Sequence, residues 1–450
     1  MRRSSVRLSW LVSLCLLSCL PALAAPTAAQ APTASAPAAA PAAVPAPAVQ
    51  ADTGPVAVPK PSAKAVRYYR TGNLLWVVST LWGFAVPALL LFTGFSARMR
   101  DWSFKLGPYW YLALLAYFAL FLVATYLLDW PLDYYASFAR PHAYGLSSQA
   151  FSKWLSDGFK SLGIGFVFGG MFLWVPYLLL RRATKRWWFY TWLAALPVVV
   201  VLLFVQPIWI APMFNHFGPM KNKALEGRIL HLAHRAGIDD ARVFEVNKSV
   251  DTNQLNAYVA GIGHTQRIVL WDTILKTLSP RQILVVMGHE MGHYVLGHTW
   301  RLIVMIALVL FVGLWGIHKT AGWTLRTFGD RFRFHELGDF ASLPLIILLF
   351  GIFSFLITPI VLGYSRHVEH EADRFGLEIT HDNHACGEAF VKLAKHDLGY
   401  PRPGWLYKAW RASHPPLGER IDFCNSYHPW TEGKPGRYAD DFTPATAPGS

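Results

Sequence analysis

In "LSPRQILVVMGHEMGHYVLGHTW", residues 278–300, two histidines stand four apart and a glutamate follows the first. Ser279 is placed as N-cap of a helix, Pro280 as its first helical residue, and Gln282 completes a Ser-x-x-Gln capping box. On such a helix His289 and His293 stack on one face about one turn apart. Two imidazoles in that arrangement can chelate one zinc ion. Glu290 is positioned to deprotonate an attacking water rather than to bind the ion. Gly288, Gly292 and Gly297 flank these residues, and each costs about 1 kcal/mol of helix propensity relative to alanine. They suggest close packing or close substrate approach, tight helix packing in a bundle being the ordinary alternative. His298 falls roughly 140° from His293 on a continuous helix, which disfavours ligation of the same ion.

Outward from this stretch the chain is strongly apolar. Of 450 residues 53% are hydrophobic and only 15% charged, against about 25% charged in average soluble proteins. The deficit lies in six apolar runs, 73–95, 109–128, 160–180, 188–210, 302–318 and 342–363, each near the roughly 20 residues that cross a bilayer. The net charge of +14 is not accompanied by any nucleic-acid-reading motif, so no nucleic-acid partner is expected. Much of it sits beside the apolar runs: Arg98 and Arg100; Arg181, Arg182, Lys185 and Arg186; Arg326, Arg331 and Arg333. That is how multi-span proteins mark cytoplasmic loops.

Arg2, Arg3 and Arg7, a short apolar stretch and Ala22-Leu23-Ala24 read as a cleavable leader over residues 1–24, the alternative being an uncleaved first span. Residues 25–70 read as an Ala/Pro-rich disordered linker. A four-span region, 71–210, follows. Polar stretches 211–300 and 364–450 read as one domain interrupted by two spans, 301–363. Assigning loops 97–108, 181–187 and 319–341 to the cytoplasm satisfies every alternation. The catalytic half then lies outside, across a bacterial inner membrane; a cytoplasmic catalytic half is the alternative. Cys386 and Cys424 can pair in an oxidising compartment, two buried free thiols being equally compatible.

Within 211–300, "LEGRILHLAHRAGI" (225–238) has helical spacing. "ARVFEVN" (241–247) and "QRIVLWDTIL" (266–275) are strand-like, with a turn or edge strand at 253–263. A catalytic zinc needs a third protein ligand and an open position. "GYSRHVEHEADRFG" (363–376) offers Glu369 and Asp373, four apart on one helix face, with Arg366 bordering them. One carboxylate on the metal and a second orienting a histidine N–H would complete such a site. Glu371 and His370 compete as ligands on spacing alone.

"VMGHEMGHYVLGHT" with "SRHVEHEAD" resembles the M48 family of integral-membrane zinc metalloproteases of the CAAX prenyl protease type. The resemblance covers nearly all of the chain after about residue 70. It implies that His289, His293 and Glu369 bind the zinc, Glu290 is the general base and Asp373 supports a ligand. "LNAYVAGIGHTQRIVLWDTIL" (255–275) resembles the family's Asn-Ala-Tyr edge strand, implying that Asn256, Ala257 and Tyr258 line the substrate's path. "SHPPLGERI" (413–421) resembles its Ser-His-Pro-Pro segment and makes His414 a candidate donor to the tetrahedral intermediate. The leader and Ala/Pro tail, and the outward catalytic half, depart from the eukaryotic pattern and put a prenylated substrate in doubt.

The expectation is therefore a mainly α, multi-span membrane protein with a gluzincin-like zinc peptidase domain assembled from two segments and a small β component. It would hold one Zn2+ per chain and act as an endopeptidase on a peptide or protein substrate at the lipid bilayer. Two rivals are a site-2-type intramembrane protease and a non-catalytic, chaperone-like scaffold with structural zinc. The motif's place just before a span speaks against the first, and the intact Glu290 against the second. His264, His298, His367, His370, His381 and His384 are read as structural or solvent-exposed.

Overall fold

The computed structural model describes residues 54–107, 109–260 and 267–443. The expected leader, most of the expected linker and His264 lie outside the described residues. Helices dominate, as they must where hydrocarbon leaves each backbone N–H and C=O to be satisfied within its own segment. In chain order come α1 (Ala63–Phe92), α2 (Phe95–Leu106), α3 (Trp110–Asp133), α4 (Phe151–Arg182) and α5 (Trp187–Val205). Helix α3 runs on through π-helical residues 134–139 to Ala143. Among the described residues five helices are long and apolar enough to cross a membrane: Ala63–Phe92, Trp110–Ala143, Phe151–Arg182, His298–Phe332 and Phe340–Thr380. The fourth expected run, 188–210, is different. It forms the shorter α5, 19 residues long, and at 1.5 Å per residue its length of about 28 Å barely matches a hydrocarbon layer of about 30 Å.

The polar half opens with β1 (Phe217–Pro219), α6 (Lys223–Arg235), β2 (Arg242–Val246), β3 (Ala257–Ala260) and β4 (Arg267–Trp271). The sheet order is β1-β2-β4-β3. Strand β2 is parallel to β4, while β1 and β3 run antiparallel to their neighbours. Side-chain alternation gives β4 two buried faces. Ile268 and Leu270 join the main core, and Val269 packs with Val246 and Tyr258 on the other side. After α7 (Asp272–Thr277) come α8 (Pro280–Val295), α9 (His298–Phe332), α10 (Leu343–Thr380), α11 (Asn383–His396), α12 (Trp405–Trp410) and α13 (Leu417–Ser426). One core takes residues from before and after the two-helix excursion, including Ile229, Val243, Met287 and Met291 with Phe375 and Ile379.

Two local features position the site. Helix α10 has 38 residues, so it reaches about 57 Å and extends well beyond a bilayer core. Its Pro359 cannot donate to the Phe355 carbonyl, and the Trp410 indole donates there instead, at 3.2 Å. Second, α8 and α10 approach so closely that side chains would not fit between them. A Cβ on Gly376 would lie 2.8 Å from the His289 nitrogen, and one on Gly292 would lie 2.9 Å from Phe375 Cβ. Close packing accounts for Gly288 and Gly292, both of which face Phe375, Gly376 or Ile379.

The linker expected to run to residue 70 ends earlier. Helix α1 begins at Ala63, where Ser62 Oγ accepts from the Ala65 N–H. Residues before it are docked: the Val56 N–H donates to Asn425 Oδ1 at 2.8 Å, and Asn425 Nδ2 donates back to the Val56 carbonyl at 2.9 Å. Val56 and Val58 pack on a small core with Phe390, Ile421, Cys386 and Cys424. Apolar side chains break the Ala/Pro pattern here and find a surface to bury against.

The two ends of the helical bundle differ in character. At one, Arg100 pairs with Asp339, Ser96 Oγ donates to the Ala341 carbonyl at 2.8 Å, and Gly338 touches Arg181. The three basic loops therefore gather there. At the other, Lys153 pairs with Asp251 at 2.9 Å and Ser147 Oγ donates to the Asp251 carbonyl at 2.8 Å.

Cys386 on α11 and Cys424 on α13 form a disulfide across a sequence separation of 38 residues. Closing a loop of that size stabilises the folded state by about 4 kcal/mol in the chain-entropy account. Reductant is expected to lower the midpoint of thermal unfolding in detergent, and the Cys386→Ser/Cys424→Ser protein to unfold at the reduced wild-type midpoint with no response to reductant. Equal midpoints for oxidised wild type and the double variant would show that the bond contributes no stability.

Candidate metal centre

The start of α8 is fixed by its cap. Ser279 Oγ accepts from the Gln282 N–H, and Gln282 Oε1 accepts from the Ser279 N–H at 2.9 Å. From that anchored end the helix delivers His289 and His293 to the line where it crosses α10. There His289 Nε2 and His293 Nε2 are 3.2 Å apart. Glu369 on α10 meets both, with Oε2 3.3 Å from His289 Nε2 and Oε1 3.6 Å from His293 Nε2. Among the described residues these three form a His/His/Glu group able to hold a metal ion.

The donor set fits zinc. Four ligands around an ion at 2.0–2.1 Å in a tetrahedron stand about 3.3 Å from one another; the two Nε2 atoms are 3.2 Å apart, and each has a Glu369 oxygen within 3.6 Å. Glu369 Oε2 is buried without a hydrogen bond; His289 Nε2 and His414 Nε2 lie 3.3 and 3.1 Å away, but neither is aligned to donate to it. Burial opposes charge on His289, yet Asp373 and Glu369 outweigh it and hold that imidazole up to about 9. The site thus attracts positive charge of the kind a divalent cation supplies.

Asp373, one turn beyond Glu369, lies 2.8 Å from His289 Nδ1, the nitrogen facing away from that group. It is itself gripped by Arg420 of α13, whose Nε donates to Asp373 Oδ2 at 2.9 Å and whose second nitrogen pairs with Oδ1. Burial works against the Arg420 charge, but Asp373 more than compensates and raises its pKa. Glu290 follows His289 on α8 and is half-buried. Burial pushes its carboxyl above the usual range, with the nearby imidazoles acting in the opposite sense. A carboxylate poised in this way accepts a proton more readily and can return it.

His414 adjoins the same group, with Nε2 3.1 Å from Glu369 Oε2. Burial depresses it to about 4, with Arg420 and His289 acting in the same sense against Glu369, so it is neutral at physiological pH. Ser413 Oγ is 3.0 Å from its Nδ1; a hydroxyl donating there leaves the ring proton on Nε2, facing the group. Arg366 donates to the Lys408 and Ala412 carbonyls, closing α12 and holding the turn that carries His414. Ser365 Oγ donates to the Ser413 carbonyl at 2.8 Å.

Asn256, Ala257 and Tyr258 lead into β3, the terminal strand of the sheet order. The Asn256 carbonyl accepts from the Trp271 N–H at 3.1 Å. Ala257 shares the core of α8, whereas Tyr258 is buried on the opposite face with Val246 and Val269. With both side chains buried, the backbone of β3 is what remains to meet a substrate.

The residues competing with Glu369 are engaged elsewhere. Glu371 Oε2 accepts from Arg301 at 2.8 Å, and His370 packs against Phe423 with ring centroids 4.3 Å apart and the rings tilted by 57°. Sequence reasoning missed Arg420, although it stands within the quoted Ser-His-Pro-Pro segment. A charged residue on an amphipathic helix looks solvated until the fold shows it buried. His298, read as structural or exposed, is buried against His293, with Nδ1 atoms 2.9 Å apart.

The model of "Peptidase family M48" matches residues 219–427, and that of "CAAX prenyl protease N-terminal, five membrane helices" matches residues 56–216. The "Uncharacterized metalloprotease YhfN" of Bacillus subtilis is 37% identical, over 83% of this chain and 87% of the relative. CAAX prenyl protease 1 of Saccharomyces cerevisiae is 28% identical over 66% of this chain and 68% of its own length. Among solved structures, Ste24p of S. mikatae superposes with a TM-score of 0.71 over 80% of this chain and 87% of that one, at 23% identity, which is a likeness of fold.

Proposed function

The chain belongs to peptidase family M48 and is an integral-membrane metalloendopeptidase of the CAAX prenyl protease-like type, and from that premise we propose that it cleaves peptide bonds at one zinc ion held by His289, His293 and Glu369. The observation that carries this reading is the convergence of the three side chains: the two Nε2 atoms are 3.2 Å apart, and Glu369 brings Oε2 to 3.3 Å from His289 and Oε1 to 3.6 Å from His293. When bound, zinc would supply Lewis acidity, polarising the scissile carbonyl and making water nucleophilic near neutral pH.

The chain's own residues do the rest. Glu290 removes a proton from the attacking water and delivers it to the leaving nitrogen. Asp373, clamped by Arg420, fixes the tautomer and direction of His289. His414 donates its Nε2 proton to the oxygen that becomes negative in the tetrahedral intermediate, a contribution of about 3–4 kcal/mol. His414→Ala is therefore expected to lower kcat by about 10²–10³-fold with zinc content unchanged; an unaltered kcat would remove His414 from the chemistry. An extended peptide adds as a strand along β3, with Asn256, Ala257 and Tyr258 supplying main-chain hydrogen bonds.

Segments 211–300 and 364–450 make up the catalytic domain, 301–363 is the inserted pair of spans, and 71–210 is the N-terminal membrane region. The catalytic face lies outside the cytoplasm of a bacterial inner membrane. Two observations support that sidedness: the three basic loops gather at the far end of the bundle, as positive-inside topology requires, and the disulfide belongs to an oxidising compartment. The test compares protein N-termini in the membrane and secreted fractions of cells carrying wild type or Glu290→Gln. Precursors that persist only in the variant are expected; identical profiles at equal expression would overturn the peptidase reading.

A further inference from the structure

We propose that His298, backed by Glu371 and Arg301, is the positioning residue for the second zinc ligand, so that each ligand imidazole has its own charged support. The inference rests on the zinc reading above and adds a residue to it. His293 turns Nε2 toward His289 and Glu369, which leaves Nδ1 to be satisfied from elsewhere. The atom there is His298 Nδ1, 2.9 Å away, with the two rings tilted at 71° and their centroids 5.1 Å apart.

The backbone explains why a residue five positions on can reach. Helix α8 stops at Val295, Gly297 takes a left-handed φ of 66°, and α9 begins at His298. On a continuous helix His298 would point roughly 140° away from His293; the break folds its ring back onto its neighbour. A glycine takes up that left-handed conformation at little cost.

The proton order follows from the acceptors. With His293 Nε2 committed as a lone-pair donor, its Nδ1 carries the hydrogen and donates to His298 Nδ1. His298 is then protonated on Nε2, a buried atom that makes no hydrogen bond and faces the Glu371 carboxylate, whose Oε2 is 3.5 Å away. Arg301 donates to that same oxygen at 2.8 Å. His298 is 5% exposed, so water has little access to replace any link. The first ligand has a shorter version of the same support, His289 to Asp373 to Arg420. Helix α10 thus supplies Glu369 to the metal, Asp373 behind one imidazole and Glu371 behind the other.

The test is zinc affinity, measured by chelator competition on the full-length protein in detergent, for wild type, His298→Leu, His298→Asn and Glu371→Gln. His298→Leu fills the space without offering an acceptor and is expected to weaken zinc by about 10–100-fold, the usual effect of losing such a partner. His298→Asn restores an acceptor near the Nδ1 position and is expected to stay within about threefold of wild type. Glu371→Gln should weaken zinc in the same direction, and serves if His298→Leu does not fold. Wild-type affinity in both His298→Leu and Glu371→Gln would overturn the proposal, as would His298→Asn binding as weakly as His298→Leu. A wild type that takes up no zinc is a distinct result, and sinks the zinc reading itself.

Discussion

Glu290→Gln is expected to bind zinc at the wild-type level of one per chain while hydrolysis falls by about 10³–10⁴-fold, a barrier increase of roughly 4–5 kcal/mol. The two side chains have the same shape, so helix α8 and the ligands beside it are undisturbed. What is lost is the capacity to take a proton. Position 290 is outside the group formed by His289, His293 and Glu369, so the metal has no reason to leave. Elemental analysis of the purified variant, paired with a rate on any peptide the wild type cleaves, separates the two quantities. Retained turnover with zinc in place would assign proton transfer to another group. Loss of zinc together with activity would make Glu290 part of the coordination.

His289→Ala should fail in the other way. It removes one donor atom and also strands Asp373 and Arg420, whose pairing closes behind that imidazole. Zinc affinity should drop by well over the 10–100-fold that an outer partner contributes, with activity falling in step with metal content. Asp373→Asn makes the series graded. It leaves His289 in place but weakens its orientation, and is expected to cost 10–100-fold in affinity. If His289→Ala and Asp373→Asn bound zinc equally well, His289 would not be a ligand. If neither variant differed from wild type, the metal would have to be held elsewhere. Thermal unfolding should be followed in parallel, because breaking a buried ion pair costs about 3–5 kcal/mol on its own.

Much of the site was legible because its signals are local. The four-residue spacing of His289 and His293, like that of Glu369 and Asp373, sets a shared helix face whatever the rest of the chain does. The capping box was readable for the same reason, since Ser279 and Gln282 satisfy one another's backbone within a single turn. Apolar length marked the helices of the bundle, although 188–210 yielded a shorter helix than its composition suggested. The choice among Glu369, His370 and Glu371 was different. Spacing left it open and only a family resemblance favoured Glu369, because neighbouring positions on a helix differ by direction alone.

Sequence by itself determined which helices are apolar, where α8 begins and which of its side chains share a face, for these follow from the order of residues within a few turns. Tertiary structure decided the rest: that α8 and α10 touch through glycines, that Arg420 arrives from α13 to hold Asp373, that residues 54–61 dock on the disulfide-linked helices, and that a left-handed Gly297 turns His298 back upon His293. Each joins groups distant along the chain or reversed in direction. Helical periodicity carries no information about either, because the energy that selects them is contact between surfaces that exist only once the elements have packed.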